Sequence, residues 1–320
     1  MIKTQGYEGK KIVITGGRGF IGSALAEYFS HIECELILAD RSPQKIWTPS
    51  GLKAKVSIIY LDVSYDNYWP QFNNVDYVFH LAATEYTVKT SPLDDLKINT
   101  ISMIHLLNNC IKQNSISPKI IYSSSSNIFG LTGSVLIDET FKDNPPAVWS
   151  IHKLASEQYL KAYHSLYGIR SVSLRLSNVY GPVPRSDVVC RMVINKVARM
   201  GIDTGRIKVF NNSSCLRDYV FIDDVVQAFL LAGQLDDKLC DGRYFMIGGG
   251  ELKTILEVWE KIAEAIGDVN IIHDSVIKLR PIDMRNFIVS TSLFNKMTGW
   301  ESTVTLSEGI EKTVKYLKNE

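Results

Sequence analysis

The stretch Lys11-Ile-Val-Ile-Thr-Gly-Gly-Arg-Gly-Phe-Ile-Gly-Ser-Ala-Leu25 decides the fold. It opens on an apolar strand at Ile12 to Ile14 and turns through Gly16, Gly19 and Gly22 in a G-x-x-G-x-x-G spacing. It then enters a helix whose apolar positions are Phe20, Ile21, Ala24, Leu25, Tyr28 and Phe29. Gly16 permits the tight turn, Gly19 lets backbone amides approach a pyrophosphate, and Gly22 lets the helix pack on the strand. The helix start adds unpaired N–H groups and a positive dipole end. Glycine-rich turns are common, so the context matters: a second strand, Glu35 to Ala39, ends in Asp40, where a carboxylate takes the adenosine ribose hydroxyls. A plain turn residue is the simpler account of Asp40, and the glycines outweigh it. A carboxylate here repels a 2′-phosphate and favours NAD over NADP, a preference that Arg41 softens.

Working outward, the first half alternates strand and helix. Apolar strands are expected at Val56 to Leu61 (closed by Asp62-Val63), Asp76 to Ala83, Lys119 to Ser123 and Ser171 to Leu176, with helices at Leu93 to Gln113 and Trp149 to Tyr167. Strands that are apolar throughout and separated by helices indicate an α/β fold, a doubly wound parallel sheet covered on both faces. Ligands bind at the carboxyl ends of such strands, so the residues just past each strand matter most: Gly16 to Gly22, Asp40, Asp62-Val63, Ala82 to Tyr86 and Ser124 to Asn127.

After residue 176 the alternation is lost, and short irregular segments run to about residue 220. The chain is expected to divide into a dinucleotide domain at 1–176 and a smaller, interleaved C-terminal substrate lobe at 177–320. A helix at Phe221 to Ala232 returns to the first domain. A strand at Arg243 to Gly248 and helices at Ile255 to Ile266 and Leu306 to Leu317 follow.

At 320 residues, 45% hydrophobic and 22% charged, the chain has ample core for this plan. A net charge of +1, spread along the sequence, gives no basic surface for nucleic acid or membrane. Without an apolar leader or a bilayer-length apolar run, the expected location is the cytoplasm. Five dispersed cysteines (Cys34, Cys110, Cys190, Cys215, Cys240) read as reduced thiols and argue against a metal site.

With these pieces in place, the chain resembles the extended short-chain dehydrogenase/reductase family, in its NAD-dependent nucleotide-sugar epimerase/dehydratase group. The motifs run in family order over nearly the whole chain. They are Thr15 to Gly22, Asp62-Val63, His80-Leu-Ala-Ala83, Asn99-Thr100, Ser123-Ser-Ser-Ser-Asn-Ile-Phe-Gly130, Asn178-Val-Tyr-Gly-Pro182, Arg217-Asp-Tyr-Val-Phe-Ile-Asp-Asp224, and Arg280-Pro-Ile-Asp283 running on to Thr298-Gly-Trp300. The resemblance implies a Rossmann-type domain that holds NAD through Gly16, Gly19, Phe20, Ile21, Gly22, Asp40, Arg41, Asp62, Val63, Leu81, Ala82, Ala83, Asn99 and Lys153. It implies a nucleotide-diphosphate sugar held by Ser125, Asn178, Arg217 and Arg280. Two arginines from distant segments suit a diphosphate, which needs cationic, fork-shaped donors. It also implies a homodimer through a four-helix contact, for which the apolar faces of Leu93 to Gln113 and Ile151 to Leu166 are suited.

One motif departs. The family's chemistry uses a Ser or Thr with a Y-x-x-x-K pair on one helical face. Ser125 and Lys153 match, and Trp149 stands at the tyrosine position. Indole donates one hydrogen bond and accepts no proton. The candidates for the missing base are Glu85 and Tyr86, just past a strand end, His152 beside Lys153, and Lys153 itself. His80 reads as a structural histidine. The Asp-Glu pair that serves the dehydratase branch is replaced by Ser126 and Asn127, which disfavours a 4,6-dehydratase. The expected activity is oxidation of a sugar ring hydroxyl at C4, as a 4-epimerase or 4-dehydrogenase in surface-polysaccharide sugar biosynthesis. The alternative is a catalytically impaired NAD(H)-binding sensor or scaffold.

Overall fold

A computed structural model describes residues 6–41, 48–65, 74–84, 91–112, 117–131, 136–182, 192–274 and 286–319. The chain forms two compact units. The first takes residues 1–128, 145–175 and 226–245, and the second takes 129–144, 176–225 and 246–320.

The first unit is built on a sheet whose strands in chain order begin with β1 (Lys11–Thr15), β2 (Glu35–Asp40), β3 (Lys55–Tyr60), β4 (Tyr77–His80) and β5 (Lys119–Ser125). Two further strands, Ser171–Leu176 and Asp241–Ile247, complete it. Across the sheet the order is Asp241–Ile247, Ser171–Leu176, β5, β4, β1, β2, β3. Every pairing from β5 across to β3 is parallel. The order reverses between β1 and β4, the point at which open parallel sheets leave a crevice at their carboxyl ends.

Alternation along β1 explains why both faces are covered. Val13 packs on one side with Val78, Ile120, Met103, Leu106, Leu107 and Leu160. On the other side, Tyr7, Phe29, Phe79 and Phe229 form an aromatic cluster with ring centroids 5.0 to 6.4 Å apart. The helices include α1 (Phe20–Ser30), α2 (Pro92–Leu96), α3 (Ser102–Lys112) and α4 (Val148–Tyr167). The sequence predicts one helix over Leu93 to Gln113. The structure instead puts a π-helical turn, Lys97–Ile101, between α2 and α3. Such a turn admits an extra residue and re-aims the side chains around it, here Asn99 and Thr100.

In the second unit, α5 (Val193–Thr204), α7 (Ile255–Ile266) and α9 (Leu306–Lys318) pack against one another. Among its described residues the unit also holds four two-stranded pairs: Asn178–Tyr180 with Tyr219–Phe221, Arg206–Val209 with Asn270–His273, Leu216–Arg217 with Lys253–Thr254, and Leu136–Ile137 with Ile288–Val289. Residues 222–225 of the helix α6 (Ile222–Gly233) belong to the second unit and the rest to the first, and α8 (Ser292–Thr298) belongs to the second. The segment 193–204, expected to be irregular, is this α5. Its N-cap is Met192, which offers no side-chain cap, and Gly201 lies inside it, so the start signal is missing and only Gly205, left-handed at the C-terminus, marks the helix. Among the described residues, no helix is long and apolar enough to cross a membrane, and no group of His, Cys, Asp or Glu is placed to hold a metal ion.

Candidate active site

The glycine turn of the first unit forms a cradle that side chains would fill. Gly16 adopts φ +65° and backs onto Leu81 and Ala82, while a Cβ at Gly22 would overlap the carbonyl oxygen of Gly16. The amide of Gly19 donates to Gly16 O at 2.9 Å and closes the turn. The first N–H groups of α1 are left without intrahelical acceptors, as at any helix start. Phe20 and Gly22 are buried, and Ile21 is half-buried. At the end of β2, Asp40 accepts the Arg18 amide at 3.1 Å, which ties the acid to the turn, and Arg41 beside it is exposed. After β3, Asp62 accepts from the amide and hydroxyl of Ser64 at 3.0 and 2.6 Å, an Asx turn that presents buried Val63. A dinucleotide fits this cradle.

At the end of β4, Thr15 Oγ1 accepts the amides of Leu81 and Ala82, both at 3.2 Å, and so fixes the strand end that carries Ala83. His80 is fully buried between Thr15 Oγ1 at 2.9 Å and Ser102 Oγ at 3.2 Å. Burial, with the Lys153 charge adding to it, pushes its pKa down to about 3, so the ring is neutral and structural. Asn99, on the π-turn, donates to Thr84 O at 2.8 Å and to Asp95 Oδ1 at 2.6 Å. It therefore pins the chain just past Ala83. Glu85 and Tyr86 lie outside the described residues.

The end of β5 and the start of α4 supply the rest. Lys153 is buried and donates to Ser123 O at 2.8 Å, its ammonium 4.7 Å from the Tyr122 ring centre. Burial lowers its pKa to about 8, against the opposing pull of Asp95 and Glu157. Ser125 is half-buried at the end of β5 and accepts the Asn127 amide at 3.2 Å. Trp149 is the second residue of α4 and is half-buried. His152 faces α2, where its Nδ1 lies 2.9 Å from Asp95 Oδ2. The structure thus gathers Lys153, the Ser123 to Ser125 strand end, His152, Asn99 and His80 at the carboxyl ends of β4 and β5.

Two buried residues in this cluster escaped the sequence reading. Asp95 is fully buried and joins His152 to Asn99. Arg175 is fully buried and clasps Glu157. The signal for the first was present: Asp95, Asn99 and Ser102 fall at i, i+4 and i+7, a polar stripe along an otherwise apolar helical face.

In the second unit, Asn178 sends both its backbone amide and its Nδ2 to Asp218 O, at 3.2 and 2.8 Å. The buried Asp218 carboxylate collects Ser177 Oγ at 3.2 Å, Gly249 N at 2.7 Å and Val289 N at 3.0 Å. Burial raises its pKa while these donors pull it back. Arg217 is half-buried and donates to Leu216 O at 2.9 Å. Arg280 lies outside the described residues.

The family model described as the NAD dependent epimerase/dehydratase family matches residues 12–248, nearly three quarters of the sequence. The chain belongs to this family. It is 28% identical over 322 residues to the UDP-glucose 4-epimerase of Mycolicibacterium smegmatis, covering 97% of this chain and 99% of that one. It is 25% identical to the dTDP-glucose 4,6-dehydratase of Haemophilus influenzae, covering 95% and 97%. Among solved structures, the UDP-glucose 4-epimerase of Thermotoga maritima with UDP-glucose superposes with a TM-score of 0.85 at 28% identity, covering 97% of this chain and 99% of that one. In this epimerase/dehydratase chain, the glycine cradle and the Lys153 cluster share one unit.

Proposed function

We propose that this chain oxidises a ring hydroxyl, at C4, of a nucleotide-diphosphate sugar with NAD, as a 4-epimerase or 4-dehydrogenase. The observation that carries the reading is Lys153, a buried ammonium at the carboxyl end of β5, in the same unit as an open glycine cradle closed at its far side by Asp40. UDP sugars are the first substrates to consider, because the epimerase relatives act on UDP-glucose by name. Ser126 and Asn127 offer no general acid or base, which argues against the dehydratase branch.

When bound, NAD supplies the acceptor for the carbinol hydrogen and its electron pair. The chain's own residues hold and prepare the reactants. The Gly16 to Gly22 turn and the start of α1 hold the pyrophosphate, Asp40 the adenosine ribose, and Val63 the adenine. Lys153 binds the nicotinamide ribose and places positive charge where an alkoxide develops. Ser125 orients the sugar hydroxyl. Asn178, Arg217 and Arg280 take the diphosphate. Trp149 stands where the family places tyrosine, so the proton goes elsewhere: to His152, Lys153, Glu85 or Tyr86.

We also infer a homodimer through α2, α3 and α4, where Leu93, Ile111, Ile151 and Leu166 are exposed. We place the protein in the cytoplasm, supplying sugars for surface polysaccharide. Trp149 supports a second reading, an NAD(H)-binding sensor without turnover. The test is UDP-glucose and dTDP-glucose turnover on NAD-loaded protein, with thermal shifts against UDP and dTDP to identify the base. Turnover with a UDP-induced shift supports the enzyme, and NAD binding without turnover of either sugar supports the sensor.

A further inference from the structure

Among the described residues, the acid–base pair in this cluster with an open ring nitrogen is Asp95 with His152. The Nδ1 atom of His152 lies 2.9 Å from Asp95 Oδ2. A carboxylate only accepts, so in the neutral ring Nδ1 carries the hydrogen and Nε2 keeps its lone pair. Asp95 is itself held: it is fully buried, and its Oδ1 accepts from Asn99 Nδ2 at 2.6 Å. Asn99 is in turn bonded to Thr84. The backbone of His152 is fixed by Thr100 Oγ1, which donates to His152 O at 3.1 Å. The ring is therefore oriented from α2, the π-turn and α4 together. Its side chain is 13% exposed, and among the described residues Nε2 has no hydrogen-bond partner.

We propose that His152, oriented by Asp95, is the catalytic base that takes the proton of the sugar hydroxyl in place of the missing phenol. The proposal rests on the oxidoreductase reading above. Positions 149 and 152 lie one turn apart on α4, at i and i+3, so a base at 152 stands beside the surface that a phenol at 149 would serve. In the step, the hydroxyl O–H bond breaks, the proton moves to Nε2, and the oxygen's electron pair becomes the second bond of the carbonyl. The carbinol hydrogen leaves with its pair to the oxidant, a nicotinamide dinucleotide. The imidazolium so formed is stabilised by Asp95, as in any Asp–His pair whose acid stays ionised.

Among the described residues, the charged groups around the ring each have their own place. Asp95 meets it from α2, while Asp94 and Lys97 are exposed and lie 4.0 Å from each other. On α4, Lys153 turns to Ser123 O and Glu157 to Arg175. On β4, His80 stays neutral between Thr15 and Ser102.

The test combines ring NMR of the full chain, labelled with ¹⁵N-histidine and loaded with NAD, with turnover of UDP-glucose and dTDP-glucose. The expected spectrum shows the neutral His152 ring in the Nδ1–H tautomer, and Asp95→Asn abolishes that preference. His152→Gln is expected to bind NAD within about threefold of the parent and to lose roughly 100-fold or more in kcat, with KM within about threefold. The acid limb of its pH–rate profile flattens. Adding Trp149→Tyr to His152→Gln is expected to restore about tenfold of that loss. An Nε2–H tautomer in the parent, parental turnover with an unchanged acid limb in His152→Gln, or loss of NAD together with activity in that variant each overturns the proposal. An active parent with an active His152→Gln variant removes only the histidine. A parent that binds NAD and turns over neither sugar removes the oxidoreductase reading and the base with it.

Discussion

The carboxylate of Glu157 meets the guanidinium of Arg175 at 2.6 Å with neither side chain exposed. The contact is bidentate, with Arg175 Nε also 3.0 Å from Oε1, and Ser124 Oγ donates to the same oxygen at 2.5 Å. The far face of the guanidinium lies 3.5 Å from the Tyr244 ring centre. Each charge is thus fully partnered, and the arrangement ties α4 to the end of β5, where Ser125 begins the turn. Lys153 sits one helical turn before Glu157, so the ion pair sets the depth at which its ammonium meets Ser123 O.

Removing one half of this pair leaves the other charge buried. Glu157→Ala is expected to cost about 3 to 5 kcal/mol in folding stability, because Arg175 then has no counter-ion in a dry site. Glu157→Gln is expected to cost less and keep the fold. Urea denaturation measures both. A loss under roughly 1 kcal/mol for the alanine variant would mean that water or a nearby acid replaces the carboxylate.

The glycine cradle makes a second prediction. A methyl group at position 22 collides with the carbonyl oxygen of Gly16 and pushes α1 away from the turn. Gly22→Ala is expected to lower NAD affinity by about tenfold or more and stability by roughly 1 to 3 kcal/mol. Titration of intrinsic fluorescence with NAD reads the first, and a thermal melt of cofactor-free protein the second. Affinity equal to the parent's would show that the cofactor does not rest on this turn.

His80 should make the protein sensitive to acid. Its folded pKa is about 3, and its ordinary value of 6.5 applies when the chain is unfolded. Between these limits the unfolded chain binds a proton that the folded chain refuses, so stability falls as pH drops from about 6.5 toward 3, by at most about 1.4 kcal/mol per pH unit. His80→Gln can keep a hydrogen bond to Thr15 or Ser102 and removes the titration. The variant is expected to be less stable at pH 7 yet to show a shallower loss in acid. Parallel curves for parent and variant from pH 7 to pH 4 would sink the assignment.

How much of this could be read from the chain depends on the distance over which each feature is encoded. The β1 strand, the turn and α1 are consecutive, and the change from strand to helical period marks each boundary. The helix Ile255–Ile266 was legible end to end, because Thr254 and Glu257 form a reciprocal cap that local sequence alone specifies. The π-turn at Lys97–Ile101 was hidden, since one extra residue in an amphipathic run hardly disturbs its periodicity. The clasp of Glu157 on Arg175 and the contact of Asp95 with His152 were hidden for another reason. Their partners lie 18 and 57 residues apart, and only the packing of strand and helix brings them together.

Lys153 joins function to stability. Its ammonium is buried, and its pKa of about 8 lies below the ordinary value of 10.5, so the charged form is penalised in the fold at neutral pH. Below pH 8 both folded and unfolded chains hold the proton and the whole penalty is present. Between about pH 8 and 10.5 the unfolded chain alone stays protonated, so the stability contribution of this group rises with pH. Lys153→Met removes the buried charge and keeps most of the volume, at the cost of the hydrogen bond to Ser123 O. The penalty, on the order of 3 kcal/mol, exceeds the roughly 1 kcal/mol of a single hydrogen bond. The cofactor-free variant is therefore expected to melt at or above the parent's temperature at pH 7, while turnover falls about 100-fold or more because the ribose and the developing alkoxide lose their cation. A variant that melts well below the parent and still turns over substrate would contradict both halves of this argument, and would place the cation that matters elsewhere in the chain.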